Sequence, residues 1–430
     1  MKTLIGYSAS ALLALVALPQ GKSDPKPLSK KQRAALIEEC MELGSRAKGE
    51  ARDRQMEIFT RLAAEPDLSA KQEEALREDL IEAWEDLPGL PETKGDNFYW
   101  EEERRGRYIV GGKTRKAKGL VIGMHGGGLG SGDAGSSASA YGAAASGLKW
   151  AAIFPQVLQK TEHGWTDSGT EEWVWDLVEQ ARRSFDVDAD HVYLVGHSMG
   201  GYGSWTLGAH HADRVAALAP SAGAPTPLLD RNTHGITGID WGVVPNLRNV
   251  PMVVYQSIDD PRVPPDVNQF AVREVESAKG RYGGYADFTY WEVDGRGHGA
   301  PPGGYEAHLE KIATFARDPL QEVVVWQPTL DWKRQFYWLF WEEPRAGVVV
   351  VGRIDREANA VAVETEGEQP CPGLAVLLDE RLVDWEREVV VTLNGTEAFR
   401  GTPVRRPEVL LDTSTSGDPG RQFSARIELP

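Results

Sequence analysis

Positive charge is in short supply in this sequence: 47 Lys and Arg face 64 Asp and Glu, a formal net charge of −17 at pH 7. That balance removes the basic surface on which general nucleic-acid or anionic-membrane binding depends, so no nucleic-acid partner is expected. Cysteine is almost absent, with only Cys40 and Cys371. Two cysteines cannot build the disulfide framework of a small secreted scaffold, and one bridge is the most they can form in an exported protein. Neither stands in a cluster with metal-ligand spacing, so no metal is expected. Beyond the N-terminus no apolar run is long enough to span a bilayer. Internal repeats and low-complexity tracts are lacking as well. What remains is the composition of a folded globular protein, 41% hydrophobic and 26% charged. At 430 residues it is too long for one ordinary core, so two or three units are expected.

The chain opens with "MKTLIGYSASALLALVALPQ", one lysine followed by an apolar stretch from Leu4 to Pro19. Such a stretch is short for a span and typical of a secretory signal, which implies a secreted or periplasmic protein. Leu15 and Ala17 are its best cleavage pair, and membrane contact is expected only if the segment stays uncleaved. The reading divides the chain into a signal peptide over 1–21, a helical segment over 22–92, a catalytic unit over 93–318 and a C-terminal β domain over 319–430.

Residues 22–28 read as a linker, and the text from Ser29 to about Leu87 is helical. "LSAKQEEALREDLIEAWEDLPGLP" places Leu76, Leu80, Ile81 and Trp84 on one face. Ser69 with Gln72 resembles a capping box, and Pro88 and Pro91 end the pattern. An earlier helix carries Leu36, Ile37, Cys40, Met41 and Leu43. Amphipathic helices must lie on something; a packing appendage is the plain expectation, a lid over an active site the other.

From about 97 to 318 short apolar runs alternate with helical ones. The runs are "FYWEEERRGRYIV", "GLVIGMHGG", "WAAIFPQV", "HVYLVGHS", "RVAALAPSAG", "PMVVYQSIDD" and "DFTYWEVDG". Several are continuously apolar, as strands buried on both faces must be, and the alternation predicts a parallel sheet covered by helices. After Pro319 the pattern becomes all strand-like, with Asn394-Gly395 marking a type I′ hairpin, and a small sandwich is expected.

Within the catalytic unit, "YLVGHSMGGYGSW" sets Ser198 between Gly196 and Gly200 where a buried strand gives way to a helix. Ser198 is either an attacking nucleophile or a small residue in a tight turn, and the strand-to-helix context favours the nucleophile. A serine hydroxyl needs a base. His298, in the glycine-rich loop "VDGRGHGAP" after the last strand, is the candidate, and a carboxylate must orient it. "QSIDDPRVPP" offers Asp259 and Asp260; Asp260, directly before "PRVPP", is the favoured one, and a turn or cap residue is the plainer role for its neighbour. For the oxyanion, Gly127 and Gly128 of "MHGGGLGSGD" are the candidate donors, completed by the N–H of Met199. A phosphate loop is the other reading of those glycines, but G-x-x-x-x-G-K-[ST] and its lysine are missing.

The segments "HGGG", "GHSMGG", "DDPRVP" and "GRGHG" stand where the α/β-hydrolase family places its oxyanion loop, nucleophile elbow, acid loop and histidine loop. Over about residues 97–318 the chain resembles that family, and within it secreted esterases related to polyhydroxybutyrate depolymerases and feruloyl esterases, and the hydrolase domain of prolyl oligopeptidases. The resemblance implies a mostly parallel α/β sheet and a serine hydrolase that cleaves small-molecule or polymer-linked carboxylic esters with no cofactor. It covers neither the N-terminal helices nor the C-terminal β domain. A prolyl-oligopeptidase-like peptidase is the alternative within enzymes, weakened by the missing β-propeller. An inert polymer- or carbohydrate-binding protein is the alternative outside them.

Three further features bear on substrate. Pro225 to Asn249, ahead of "PMVVYQSIDD", is expected in the pocket wall. Trp165 is either a cleft residue or a packed one. "DWKRQFYWLFW" is expected to serve core or interdomain packing rather than a carbohydrate platform. Asn394-Gly395-Thr396 also matches a glycosylation acceptor, which the hairpin turn explains fully.

Overall fold

The computed structural model describes residues 28–91 and 94–430; the expected signal segment and linker residues 22–27 lie outside the described residues. Three helices come first, α1 (Lys30–Leu43), α2 (Glu50–Leu62) and α3 (Ala70–Glu85). Ser29 and Ser69 each close a capping box, with Gln32 and Gln72, so two orphan amide groups are satisfied at either start. The middle helix buries Arg52 and Gln55 on the same face as Ile58, Phe59 and Leu62. The buried faces of α1 and α3 are those expected, except that Leu43 and Ile81 are only half-buried. Together these helices pack on Leu410 and Leu411, far along the chain, so they form a packing element rather than a lid.

A hairpin of β1 (Gly95–Trp100) and β2 (Arg105–Gly112) follows, so the run "FYWEEERRGRYIV" is two strands with its charged middle as the turn. Next come β3 (Leu120–Met124), α4 (Ala134–Gly147), β4 (Ala151–Pro155), α5 (Thr170–Phe185), β5 (Val192–His197), α6 (Met199–His210) and β6 (Ala217–Ser221). A small hairpin, β7 (Pro227–Leu229) and β8 (Ile236–Ile239), interrupts the alternation before β9 (Met252–Ser257), α7 (Asp266–Tyr282), β10 (Phe288–Val293) and α8 (Gly304–Glu310). The eight-stranded sheet has the order β1-β2-β4-β3-β5-β6-β9-β10. Only β2 runs against the others. This is the α/β-hydrolase fold.

Burial on both faces explains the unbroken apolar runs. Val121, Tyr193, Val195, Ala217 and Ala219 point into the layer closed by α4 and α8. Their alternates Leu120, Ile122, Leu194 and Leu218 point to the layer of α5, α6 and α7. Since β4 and β5 flank β3 on opposite sides, the chain order reverses there, and the crevice at the strands' carboxyl ends is where such sheets bind ligands.

The C-terminal region forms two sheets. One has the order β11 (Val323–Trp326), β14 (Val348–Asp355), β15 (Ala360–Gly367), β17 (Val389–Leu393), β18 (Thr396–Gly401). The other runs β12 (Gln335–Phe336), β13 (Leu339–Trp341), β16 (Leu374–Leu378), β19 (Ala425–Glu428). They face each other: Trp326 stacks on Phe336 with ring centroids 5.7 Å apart, and a Cβ on Gly352 would meet Trp338 at 2.4 Å. Asn394 and Gly395 have φ of +50° and +78°, as a type I′ turn requires. One helix, α9 (Pro407–Ser414), departs from the all-strand expectation, and it supplies Leu410 and Leu411 to the N-terminal helices. Cys40 and Cys371 are both buried and free.

The large sheet and the C-terminal sheets share their packing. Buried residues of the large sheet and of the C-terminal sheets make one apolar cluster. Polar bonds cross the same border: Tyr337 Oη donates to the Ala212 carbonyl at 2.9 Å, and Gln327 N to Asn246 Oδ1 at 2.7 Å. The aromatic run "FYWLFW" is buried throughout, in packing between the units.

Candidate active site

The elbow begins with steric necessity. Ser198 adopts φ +60° and ψ −121°, a strained conformation for a residue with a side chain. Its neighbours cannot carry one: a Cβ on Gly196 would lie 2.2 Å from the Gly200 carbonyl oxygen, and a Cβ on Gly200 2.1 Å from that of Met124. The pose is pinned by Ser198 N–H donating to the Ser221 carbonyl at 2.9 Å. Ser198 therefore stands half-buried at the carboxyl end of β5, directly before the first turn of α6. As first residue of that helix, Met199 has an amide with no intrahelical acceptor.

Two recesses meet at Ser198. The wider one, about 530 Å³, has Gly127, Gly128, Met199 and Tyr202 in its wall. Ala224, Pro225, Thr226 and Pro227 line it as well, so of the segment Pro225 to Asn249 expected in the pocket wall only the start is there. The second recess, about 390 Å³, holds Ser198, His298, His197 and Tyr305. Arg262 reaches both recesses and is exposed.

The acid loop distinguishes its two carboxylates. Asp260 is 4% exposed; its Oδ2 accepts from His298 Nδ1 at 2.8 Å, while its Oδ1 accepts from the amides of Arg262 and Val263 at 2.9 and 3.0 Å. Asp259 faces the other way. It takes the Ser257 hydroxyl and the amides of Gly297 and Arg296, at 2.9 and 3.2 Å, and these bonds hold its carboxyl below the ordinary aspartate range. One aspartate thus addresses the imidazole and the other ties down the loop that carries it.

Further residues of the site stand inside the quoted motifs without being singled out by them. His197 packs its ring on that of His298, centroids 4.8 Å apart, and its Nδ1 lies 3.2 Å from Ser221 Oγ. Burial, then the neighbouring His298, pushes His197 down to about 4, so it is neutral at pH 7. His125 braces the glycine loop: its Nδ1–H donates to the Gly126 carbonyl at 2.8 Å and its Nε2 accepts the Val157 amide at 3.2 Å. Trp165, the candidate cleft aromatic, is fully buried instead. Its indole donates to the His125 carbonyl at 3.3 Å, and α6 reaches it through Gly203, where a Cβ would meet the ring at 2.7 Å. No spacing rule separates a Trp that lines a pocket from one that supports the loop behind it.

No protein-family model matches the chain. Over 61 residues, 14% of its length, it is 34% identical to a bifunctional acetylxylan esterase/xylanase of Neocallimastix patriciarum, and the match spans 9% of that protein. Among solved structures it is similar to a ferulic acid esterase of Anaeromyces mucronatus, at 16% identity over 52% of this chain and 89% of that one, TM-score 0.37. It is also similar to a poly(3-hydroxybutyrate) depolymerase of Bordetella parapertussis, at 18% identity over 48% of this chain and 85% of that one, TM-score 0.36. The fold assignment rests on the strand order.

Proposed function

We propose that the protein is a serine hydrolase of carboxylic esters that works through an acyl-enzyme. The observation that carries this reading is the strained Ser198 at the mouth of a cleft it shares with His298, whose other ring nitrogen is fixed by the buried Asp260. Asp260 holds the imidazole with Nδ1 protonated and Nε2 free to accept, the tautomer a general base needs. Ser198 Oγ attacks the ester carbonyl as His298 Nε2 takes its proton. Negative charge collects on the carbonyl oxygen beside the amides of Gly127, Gly128 and Met199, the last at the positive end of α6. Collapse of the tetrahedral intermediate expels the alcohol, which takes the proton back from His298. Water then enters by the same route and releases the acid. None of these steps calls on a metal or organic cofactor.

The short match to an acetylxylan esterase/xylanase supports an ester substrate, attached to a small molecule or to a polymer. The export signal read from residues 1–21 fits an enzyme that meets such material outside the cytoplasm. Hydrolysis of p-nitrophenyl esters from acetyl to dodecanoyl, by the protein and by Ser198→Ala, tests the proposal. Turnover should fall about 10⁶-fold in the variant with Tm unchanged. Equal turnover by both, or cleavage of prolyl amides in preference to esters, would overturn it.

A further inference from the structure

Far from the Ser198 cleft, the N-terminal helices, the border of the large sheet and the C-terminal region enclose a cavity of about 50 Å³. Its wall carries six cations: Arg46, Arg52, Arg214, Lys333, Arg334 and Arg421. All six side chains are mostly shielded from solvent, from 6% exposed at Lys333 to 15% at Arg334. Asp412 is the single carboxylate among the lining residues.

Apart from Asp412, the counter-charges are not among the lining residues. Arg46 turns to Asp176 and Glu179, and Arg214 shares Glu179. Arg52 and Arg334 share Glu342, while Lys333 and Arg421 share Asp213. Asp412 serves Arg52 and also Arg426. Glu171, further back, is occupied by His210 and His211. Donors therefore crowd the inner surface. Two of them lack any partner among the described residues: Arg421 Nε and the Ser416 hydroxyl, on residues 8% and 3% exposed.

Leaving a buried donor unpaired is costly, and both of these lie on this wall. Water answers such a surface poorly, because a water brings two protons that need acceptors of their own. A tetrahedral oxyanion brings three or four acceptor oxygens and at most one or two protons, and the volume, room for about four waters, suits one. Burial, and next to it the Arg214 charge, holds Lys333 well below the ordinary lysine range, and an anion at this place would relieve both arginine and lysine.

We propose that this cavity is a structural site for a small oxyanion of the phosphate or sulfate kind, which clamps the three regions together. It lies outside the catalytic machinery, so it stands or falls separately from the esterase reading. The test is titration of the whole protein with inorganic phosphate at pH 7 and constant ionic strength, by calorimetry and by thermal unfolding, against chloride. One phosphate per chain should bind, and Tm should rise by about 2–5 °C along a saturating curve. Ser416→Ala should weaken the midpoint about five- to ten-fold, and Arg421→Gln should abolish saturation. The Ser416 variant removes only a hydroxyl and keeps the test open if the arginine variant fails to fold. The proposal is overturned by the absence of saturable binding, by a midpoint unchanged in Ser416→Ala, or by phosphate inhibiting ester turnover with that same midpoint.

Discussion

Asp260 gives one carboxylate oxygen to His298, at 2.8 Å, and spends the other on two amides of its own loop. Its neighbour Asp259 has no bond to the ring and three to the loops on either side of it. The two should therefore fail differently. Asp260→Asn should leave KM within a few-fold and lower kcat about 10⁴-fold, because the amide favours the wrong histidine tautomer. Asp259→Asn should lower kcat far less and chiefly destabilise the 294–300 loop. Steady-state kinetics on one short ester decides it; equal losses would mean the assignment of the acid is wrong.

The glycines of the site divide by the space beside them. A Cβ on Gly127 would meet the Ser131 carbonyl oxygen at 2.6 Å, at a φ of +142°, whereas Gly128 has nothing within 4 Å. Gly128→Ala should fold normally and keep most of its activity, since its backbone N–H is retained. Gly127→Ala and Gly200→Ala should each distort the loop or the elbow and lower kcat by about 10²-fold or more, the loss expected when an oxyanion donor is misplaced. Tm and kcat measured together on the three variants would reveal any reversal of that order.

Acid should weaken the fold through its buried imidazoles. Burial pushes His308 down to about 4, and its Nε2–H donates to the Val253 carbonyl at 2.8 Å. The folded protein thus keeps this ring neutral where an unfolded chain protonates it, near 6.5. The unfolded state binds the extra proton between those values, so stability is complete above about pH 6.5 and declines as pH falls toward 4. Each such histidine contributes a slope of about 1.4 kcal/mol per pH unit in that window. His197 adds a second, held down to about 4 as well. Denaturant unfolding between pH 5 and 6.5 should show His308→Gln with a slope shallower by one proton; an unchanged slope would count against the neutral ring.

Trp165 offers a direct contrast between support and recognition. Trp165→Phe should cost about 1–3 kcal/mol in stability through lost volume and the lost bond to His125. KM for aryl esters and alkyl esters should shift alike. A KM rise confined to aryl esters would show the indole stacking on substrate after all.

The sequence made the sheet legible because its central strands are buried on both sides and so read as unbroken runs of Val, Ile, Leu and Ala. It made Ser198 and His298 legible because glycine punctuation marks where a chain must turn sharply. Other features left no local trace. The β1–β2 turn hid inside "EEERR", since charge alone does not separate a strand from a bend. Helix α9 was masked by its β-rich surroundings. The part of Asp259 depends on amides 37 and 38 residues away, and only folding brings such partners together.

Gly417 sits with φ +59° against Trp84, where a methyl group would fall 1.9 Å from the indole. That indole in turn lies under Arg182 of α5, whose guanidinium donates to the carbonyls of Ser416 and Gly417. Three stretches of chain, more than three hundred residues apart at the extremes, are thus mutually templated at one point. A chain built this way should not exchange its trailing β sheets for another module by cutting near residue 318, nor shed its leading helices, without exposing buried surface in each remaining part. Such a chain should tolerate change best in exposed turns near Ser198, such as 231–235, and least at Trp241 and Asn246, which bond the trailing region.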